Sequence, residues 1–141
     1  MHAIVVGTGA NWKKEFNSAY QEGMEVIAVN RAIKDLPVDE DYAISNHPEF
    51  CAKTIDLIVP QQGELEDWKY ATSGFLGVGL AVEKGFTKIY IAGMPLDHIS
   101  YDKVVLRNFI LAKKDILKDK LVLPEHYWWA ELLGTETYAC E

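Results

Sequence analysis

Glycine and asparagine residues follow the ends of three apolar, strand-forming runs in the first third of the chain. Gly7-Thr8-Gly9 comes after the first run, Asn30 after the second and Asn46 after a short third run. Glycine lets a ligand approach the backbone closely, and an asparagine amide offers both a donor and an acceptor to a base or a ribose. Because parallel strands end at the same edge of a sheet, we expect these residues to form a binding site there. Each piece alone also fits an ordinary turn.

Residues 72–93 add a second set of candidates. Thr72-Ser73-Gly74 precedes an apolar run rich in small residues, and Gly93 ends the β-forming run Lys88–Ala92. Thr72 or Ser73 can cap a helix, so the segment predicts a helix N-terminus beside the end of a buried strand, where anionic ligands bind. The loop after the strand is expected to border the same site. The ligand-binding candidates of this second set are Thr72, Ser73, Gly74, Gly93, Met94 and Asp97.

Three of the four histidines are candidates for proton transfer. His47 is next to Asn46, and His98 follows the loop after Gly93, so both are expected near the strand ends. His126 is further along the chain. A general base must reach the proton that it removes, and spacing along the chain does not establish that reach. The catalytic residues therefore stay open at this point.

Strand-forming and helix-forming runs alternate along the chain, which predicts an α/β fold with a mostly parallel sheet. We expect a single Rossmann-like three-layer domain over residues 1–141, with five or six strands. A long helix is predicted over residues 101–117. Residues 121–123 are expected to form a last edge strand, followed by an aromatic tail over about 124–141.

The chain has 14 basic and 21 acidic residues, a formal net charge of −7. Broad nucleic-acid binding is not expected, because it requires a basic surface. No apolar run approaches the roughly 20 residues of a membrane helix, and the start lacks the basic region of a signal peptide. We expect a cytoplasmic protein without membrane insertion. Cys51 and Cys140 match no metal-ligand spacing, so no metal site is predicted, and they favour a reducing compartment.

The tail contains the apolar cluster Tyr127-Trp128-Trp129 and Leu132-Leu133. One interpretation is that it packs on its own domain. The other is that it forms an oligomer interface or a lid that stacks on a base, because aromatic residues are enriched in such roles. A homo-oligomer, by default a dimer, is predicted from the second interpretation.

Taken in order, these motifs resemble those of the Rossmann-like group of bacterial CMP-sialic-acid sialyltransferases (glycosyltransferase family 42) and MptE-like (DUF115) proteins. The family pattern G-N-G-P-S after the first strand reads Gly7-Thr8-Gly9-Ala10-Asn11 here, and the family's second strand also ends in asparagine. Its N-P after the third strand corresponds to Asn46-His47-Pro48, with one residue inserted. The pattern T-S-G, helix, G-Y/F-x-x-I-Y-L-x-G is reproduced nearly throughout residues 72–93. The resemblance covers about residues 3–97.

The resemblance implies a nucleotide or nucleotide sugar, of cytidine type, as the ligand, with no required cofactor. It implies that Thr8 and Gly9 face phosphate or ribose, that the two asparagines contact phosphate, ribose or sugar, and that Ser73 and Gly74 lie beside the nucleotide. Gly93 and Met94 would border the base or ribose.

The chain also departs from the family pattern. The family's G-I-D loop reads Gly93-Met94-Pro95, and Asp97 follows two residues later. The residues after Asp97 are too few for the family's lid, whose catalytic histidine falls in the region of His126. Three functions follow: a non-catalytic sensor or sequestering module for a nucleotide-type ligand, a minimal glycosyl- or phosphoryl-transferase with a nucleotide donor, or a structural protein with a vestigial site.

Overall fold

A computed structural model describes residues 1–30, 35–45, 57–58, 65–68 and 73–140. Within them, seven strands form one sheet in the order β4-β3-β2-β1-β5-β6-β7, and every neighbouring pair is parallel. The strands are β1 (His2–Val6), β2 (Glu25–Val29), β3 (Tyr42–Ile44), β4 (Leu57–Ile58), β5 (Lys88–Ala92), β6 (Leu121–Pro124) and β7 (Glu136–Tyr138). The predicted α/β fold class is confirmed. The sheet has seven strands, whereas five or six were predicted.

Five α-helices cover the two faces of this sheet in the described part of the chain. They are α1 (Trp12–Ala19), α2 (Ser73–Glu83), α3 (Lys103–Ala112), α4 (Lys114–Leu117) and α5 (Trp128–Leu133). Helix α1 contacts β1 and β5, whereas α2 contacts β1 and β2. The two helices lie on opposite faces, because they pack into separate clusters of buried residues.

Strand β1 shows how the layers arise. Successive side chains of a strand point to opposite faces, and all four of Ala3, Ile4, Val5 and Val6 are fully buried. Ala3 and Val5 belong to the larger core with α2 and α3, whereas Ile4 and Val6 belong to the smaller core with α1. A central parallel strand therefore reads as a continuous apolar run.

The small residues of α2 allow it to lie close to the sheet. A Cβ atom at Gly77 would come 2.7 Å from Val5 and 2.8 Å from Val29, and one at Gly79 would lie 2.3 Å from the Trp68 ring. The absence of side chains at these two positions permits the contacts of α2 with the sheet and with Trp68.

Two predicted elements differ from the structure. The run around Leu121 is not an edge strand, because β7 pairs with β6 and takes the edge. The single long helix over 101–117 is wrong in its start and its continuity. Asp102 caps α3 by accepting hydrogen bonds from Val104 N (3.0 Å) and Val105 N (3.2 Å), and Lys113 separates α3 from α4.

Candidate functional site

A cleft of about 620 Å³ opens at the carboxyl edge of the sheet. Its walls come from residues 7–10 after β1, Val29 and Asn30 at the end of β2, Ser73 and Gly74 at the start of α2, residues 93–98 after β5, and Tyr101. Strands β1 and β5 are neighbours, and the chain leaves them toward opposite faces, to α1 and α3. Such a divergence leaves a crevice at the sheet edge, which is where open α/β sheets bind ligands.

The cleft brings together most of the residues that the sequence predicts for the site. They are Gly7, Thr8, Gly9, Asn30, Ser73, Gly74, Gly93, Met94, Asp97 and the acid–base candidate His98. Asn46, His47 and Thr72 lie outside the described residues. His126 is described and does not line the cleft; its Nε2 lies 3.1 Å from Glu15 Oε2.

The glycines of the cleft serve contacts within the protein. A Cβ atom at Gly7 would lie 2.7 Å from the Gly93 carbonyl oxygen, and one at Gly9 would lie 2.4 Å from Pro95 Cδ. The amides of Gly7 and Gly9 donate to the carbonyls of Ala92 (2.9 Å) and Gly93 (2.8 Å). These glycines therefore allow the loops after β1 and β5 to lie close together, and they also line the cleft.

Asn30 has a backbone role in addition to its place in the cleft wall. Its φ of 53° lies in the left-handed region, which asparagine tolerates better than most residues. Its side-chain oxygen accepts a hydrogen bond from the Ser45 hydroxyl. The turn interpretation of Asn30 therefore fits its backbone, and its role as a site residue stays a prediction.

Aromatic side chains of α5 and its N-terminal flank hold the loop after β5. The Trp129 indole N–H donates to the Met94 carbonyl (3.0 Å), and the Trp128 indole N–H donates to the Leu96 carbonyl (3.2 Å). Lys103 Nζ donates to the same Leu96 oxygen (2.7 Å). Leu96 has a φ of 56°, an uncommon conformation for a bulky residue, and these bonds stabilise it at the cleft wall.

Glu15 is a buried carboxylate that connects the loop after β5 to Tyr127. The residue is fully buried on α1, and its Oε1 accepts from the Gly93 amide (2.9 Å) and from the Tyr127 hydroxyl. The same hydroxyl accepts from the Met94 amide (2.8 Å). Burial, and next the hydrogen bond to Glu15, raise the pKa of Tyr127 well above its usual range. The hydroxyl therefore stays protonated and bridges the carboxylate to the cleft loop.

Sequence reasoning missed Glu15, although one signal was available. Trp12, Phe16 and Ala19 recur at helical spacing on the predicted buried face of α1, and Glu15 falls on the same face. Carboxylates are rarely fully buried unless they have partners. A carboxylate on an apolar helix face therefore points to a hydrogen-bonded interior role.

The aromatic tail packs on its own domain, which is one of the two interpretations that the sequence allows. Tyr127, Trp129 and Leu133 are buried at 3%, 0% and 1% exposure, and Trp129 packs against Phe75 of α2. These three side chains are therefore not available as an exposed interface, whereas Trp128 and Leu132 are partly buried. The homo-oligomer loses this supporting argument and stays a prediction.

The fold and the cleft define a Rossmann-like α/β protein with a crevice at the switch point of a parallel sheet. Comparison with family models, with curated proteins and with solved structures gives no match. None of the helices in the described segments is long and apolar enough to cross a membrane.

Proposed function

We propose that this protein binds a nucleotide or a nucleotide-containing small molecule in the cleft at the carboxyl edge of the sheet. The observation that carries the proposal is the convergence in one cleft of the loop after β1, Asn30, the start of α2 and the loop after β5. The volume of about 620 Å³ lies within the usual range for small-molecule sites, roughly 300–1,000 Å³.

The start of α2 is the favoured position for a phosphate. The helix has 11 residues, and the amides of its first turn carry the positive end of the helix dipole. Ser73 adds a hydroxyl and Gly74 adds an amide at the same end of the cleft. A local site of this kind accommodates an anion despite the net charge of −7.

Asp97 and Tyr101 in the cleft wall suit a ribose or a base. Asp97 supplies a carboxylate, which accepts hydrogen bonds from ribose hydroxyls or a base amino group, and Tyr101 supplies a ring. Burial, and next the nearby Asp97, raise the pKa of Tyr101, so its hydroxyl is available as a donor. The resemblance to the sialyltransferase and MptE-like group favours a cytidine nucleotide among the candidates.

We favour a protein that binds its nucleotide ligand without catalysis and acts as a sensor or a sequestering protein. The loop after β5 lacks the acidic residue of the family pattern, because Pro95 stands at its position. One observation supports the alternative, a minimal glycosyl- or phosphoryl-transferase: Asp97 and His98 both line the cleft, and a carboxylate with an imidazole can carry proton transfer.

Calorimetric titration with cytidine, uridine and adenosine nucleotides and with a cytidine nucleotide sugar tests the proposal. We expect Ser73→Ala and Asp97→Asn to weaken the binding of the preferred nucleotide by about fivefold or more, as loss of a hydrogen bond of about 1 kcal/mol implies. The matched control is Asp119→Asn, an exposed carboxylate between α4 and β6 at the other edge of the sheet. Absence of binding by every nucleotide, or equal affinities of all three variants, contradicts the proposal.

Chromatography of the ligand recovered after denaturation separates the two functions. An unaltered nucleotide sugar supports binding alone. A cleaved or transferred sugar supports the transferase, and His98→Ala should then abolish the change while retaining binding.

A further inference from the structure

Three side chains with metal-binding donor atoms meet beneath the cleft. Glu15, His126 and Cys140 each present one donor atom, and these atoms all lie within 4.8 Å of one another. The carboxylate comes from α1, the imidazole from the connection between β6 and α5, and the thiol from the segment after β7. Glu15 is 111 positions from His126 in the chain, and only folding brings it to the other two residues.

We propose that Glu15, His126 and Cys140 bind one Zn²⁺ ion. Oxygen, nitrogen and sulfur donors of these residue types are the usual zinc ligands. Zinc lies about 2.0–2.3 Å from such donors in a tetrahedral site, so its ligand atoms are about 3.3–3.8 Å apart. His126 Nε2 and Glu15 Oε2 are already 3.1 Å apart, and a shift of roughly an ångström by the thiol completes the set.

The burial of the three residues fits an ion held at the edge of the core. Glu15 is fully buried, Cys140 is partly buried, and the His126 side chain is half exposed. A buried carboxylate is costly unless a cation or hydrogen bonds compensate its charge. Zinc supplies that cation at Oε2, the oxygen that faces the imidazole. The exposed side at His126 gives the ion a path of entry and leaves the fourth coordination position to water.

Glu15 connects this zinc site to the cleft. Its other oxygen, Oε1, accepts from the Gly93 amide and the Tyr127 hydroxyl, so one carboxylate joins the ion to the loop after β5. The ion would fix α1, the start of α5 and the segment after β7 relative to that loop. Binding of the ion at this position does not depend on which ligand the cleft takes.

Zinc titration of the full chain, without a histidine tag and stripped with a chelator, tests the proposal. Competition with a chromophoric chelator should give one Zn²⁺ per chain, and Zn²⁺ should raise the melting temperature, because an ion that binds only the folded state stabilises it. Co²⁺ should give the visible bands of a tetrahedral site and a thiolate charge-transfer band.

Cys140→Ser and His126→Gln should each weaken zinc binding at least tenfold and remove the rise in melting temperature. His2→Gln, at an exposed histidine of β1, is the matched control and should keep the wild-type affinity. The ion alone is the probe, so the outcome is independent of nucleotide binding. A chain that binds no zinc overturns the proposal, as does wild-type affinity in either site variant or a Co²⁺ complex without the thiolate band.

Discussion

The backbones of Gly7 and Gly93 lie against each other at the floor of the cleft. A Cβ atom on Gly93 would lie 2.2 Å from the Gly7 carbonyl oxygen, and Gly93 has a φ of 73°. The loops after β1 and β5 are therefore held in direct backbone contact at the point where their strands diverge. This contact shapes the cleft whether or not a ligand is bound.

The first prediction compares Gly93→Ala with Gly74→Ala. We expect Gly93→Ala to lower the free energy of unfolding by more than about 2 kcal/mol, because the left-handed backbone alone costs an alanine about 1–2 kcal/mol and the Gly7 backbone cannot move away cheaply. A Cβ atom at Gly74 would meet the flexible end of Met94, with Cε at 2.5 Å, so Gly74→Ala should cost far less. Urea denaturation of both variants measures the difference. Equal stabilities would mean that the two loops can separate without cost.

The second prediction concerns the Tyr127 hydroxyl. Tyr127→Phe removes one donor to Glu15, which keeps the Gly93 amide, and it removes the acceptor of the Met94 amide. Loss of the partner of a buried group costs about 1–3 kcal/mol. We expect a loss of about 2–3 kcal/mol in the free energy of unfolding. Tyr20→Phe is the control, because its ring contact with Phe16 remains. A Tyr127→Phe protein as stable as the control would show that water replaces the hydroxyl.

The third prediction separates the two roles of Asn30. Asn30→Ala should lose about 1 kcal/mol of stability, because alanine disfavours a φ of 53°, whereas Asn30→Gly should keep more of it. Both variants lack the amide, so both should bind nucleotide more weakly if that amide contacts the ligand. Calorimetric titration and urea denaturation are measured on the same samples. Wild-type affinity in both variants would leave Asn30 with its turn role alone.

The fourth prediction concerns the C-terminal segment. Truncation after Pro124 removes α5 and β7, including the buried side chains of Tyr127, Trp129 and Leu133. We expect loss of cooperative unfolding in circular dichroism, because Phe75 and the cleft loop lose their packing partners. Truncation after Tyr138, studied without metal, is the control and should fold. A folded, cooperative domain after the longer deletion would contradict this placement of the tail, and light scattering of the full chain tests the predicted homo-oligomer.

The parallel character of the sheet and the edge at which the cleft lies could be predicted from local pattern. Runs such as His2–Val6 and Lys88–Ala92 are apolar throughout, which is typical of buried parallel strands. The residues that follow such strands share one edge of the sheet. For that reason Gly7, Asn30, Ser73 and Asp97 were predicted together and lie around one cleft.

The ends of the elements and the last strand were less predictable. The long helix over 101–117 shows helical spacing throughout, and only the Asp102 cap and the break at Lys113 divide it. Strand β7 has three residues, Glu136–Tyr138, with an exposed or half-exposed pattern. Its pairing with β6 depends on a neighbour in space rather than on a pattern of its own.

The sequence by itself therefore determined the α/β class and the edge of the sheet at which the cleft lies. The class follows from strand and helix periodicity, which is local, and the edge follows from the topology that all parallel sheets share. Tertiary structure alone decided that the backbones of Gly7 and Gly93 are in contact and that Glu15 joins the Gly93 amide to Tyr127. It alone brought Glu15 to His126, 111 positions away in the chain. Such contacts form where separate helices and loops pack on one sheet edge, and neither the spacing nor the type of a residue specifies which distant segment will meet it.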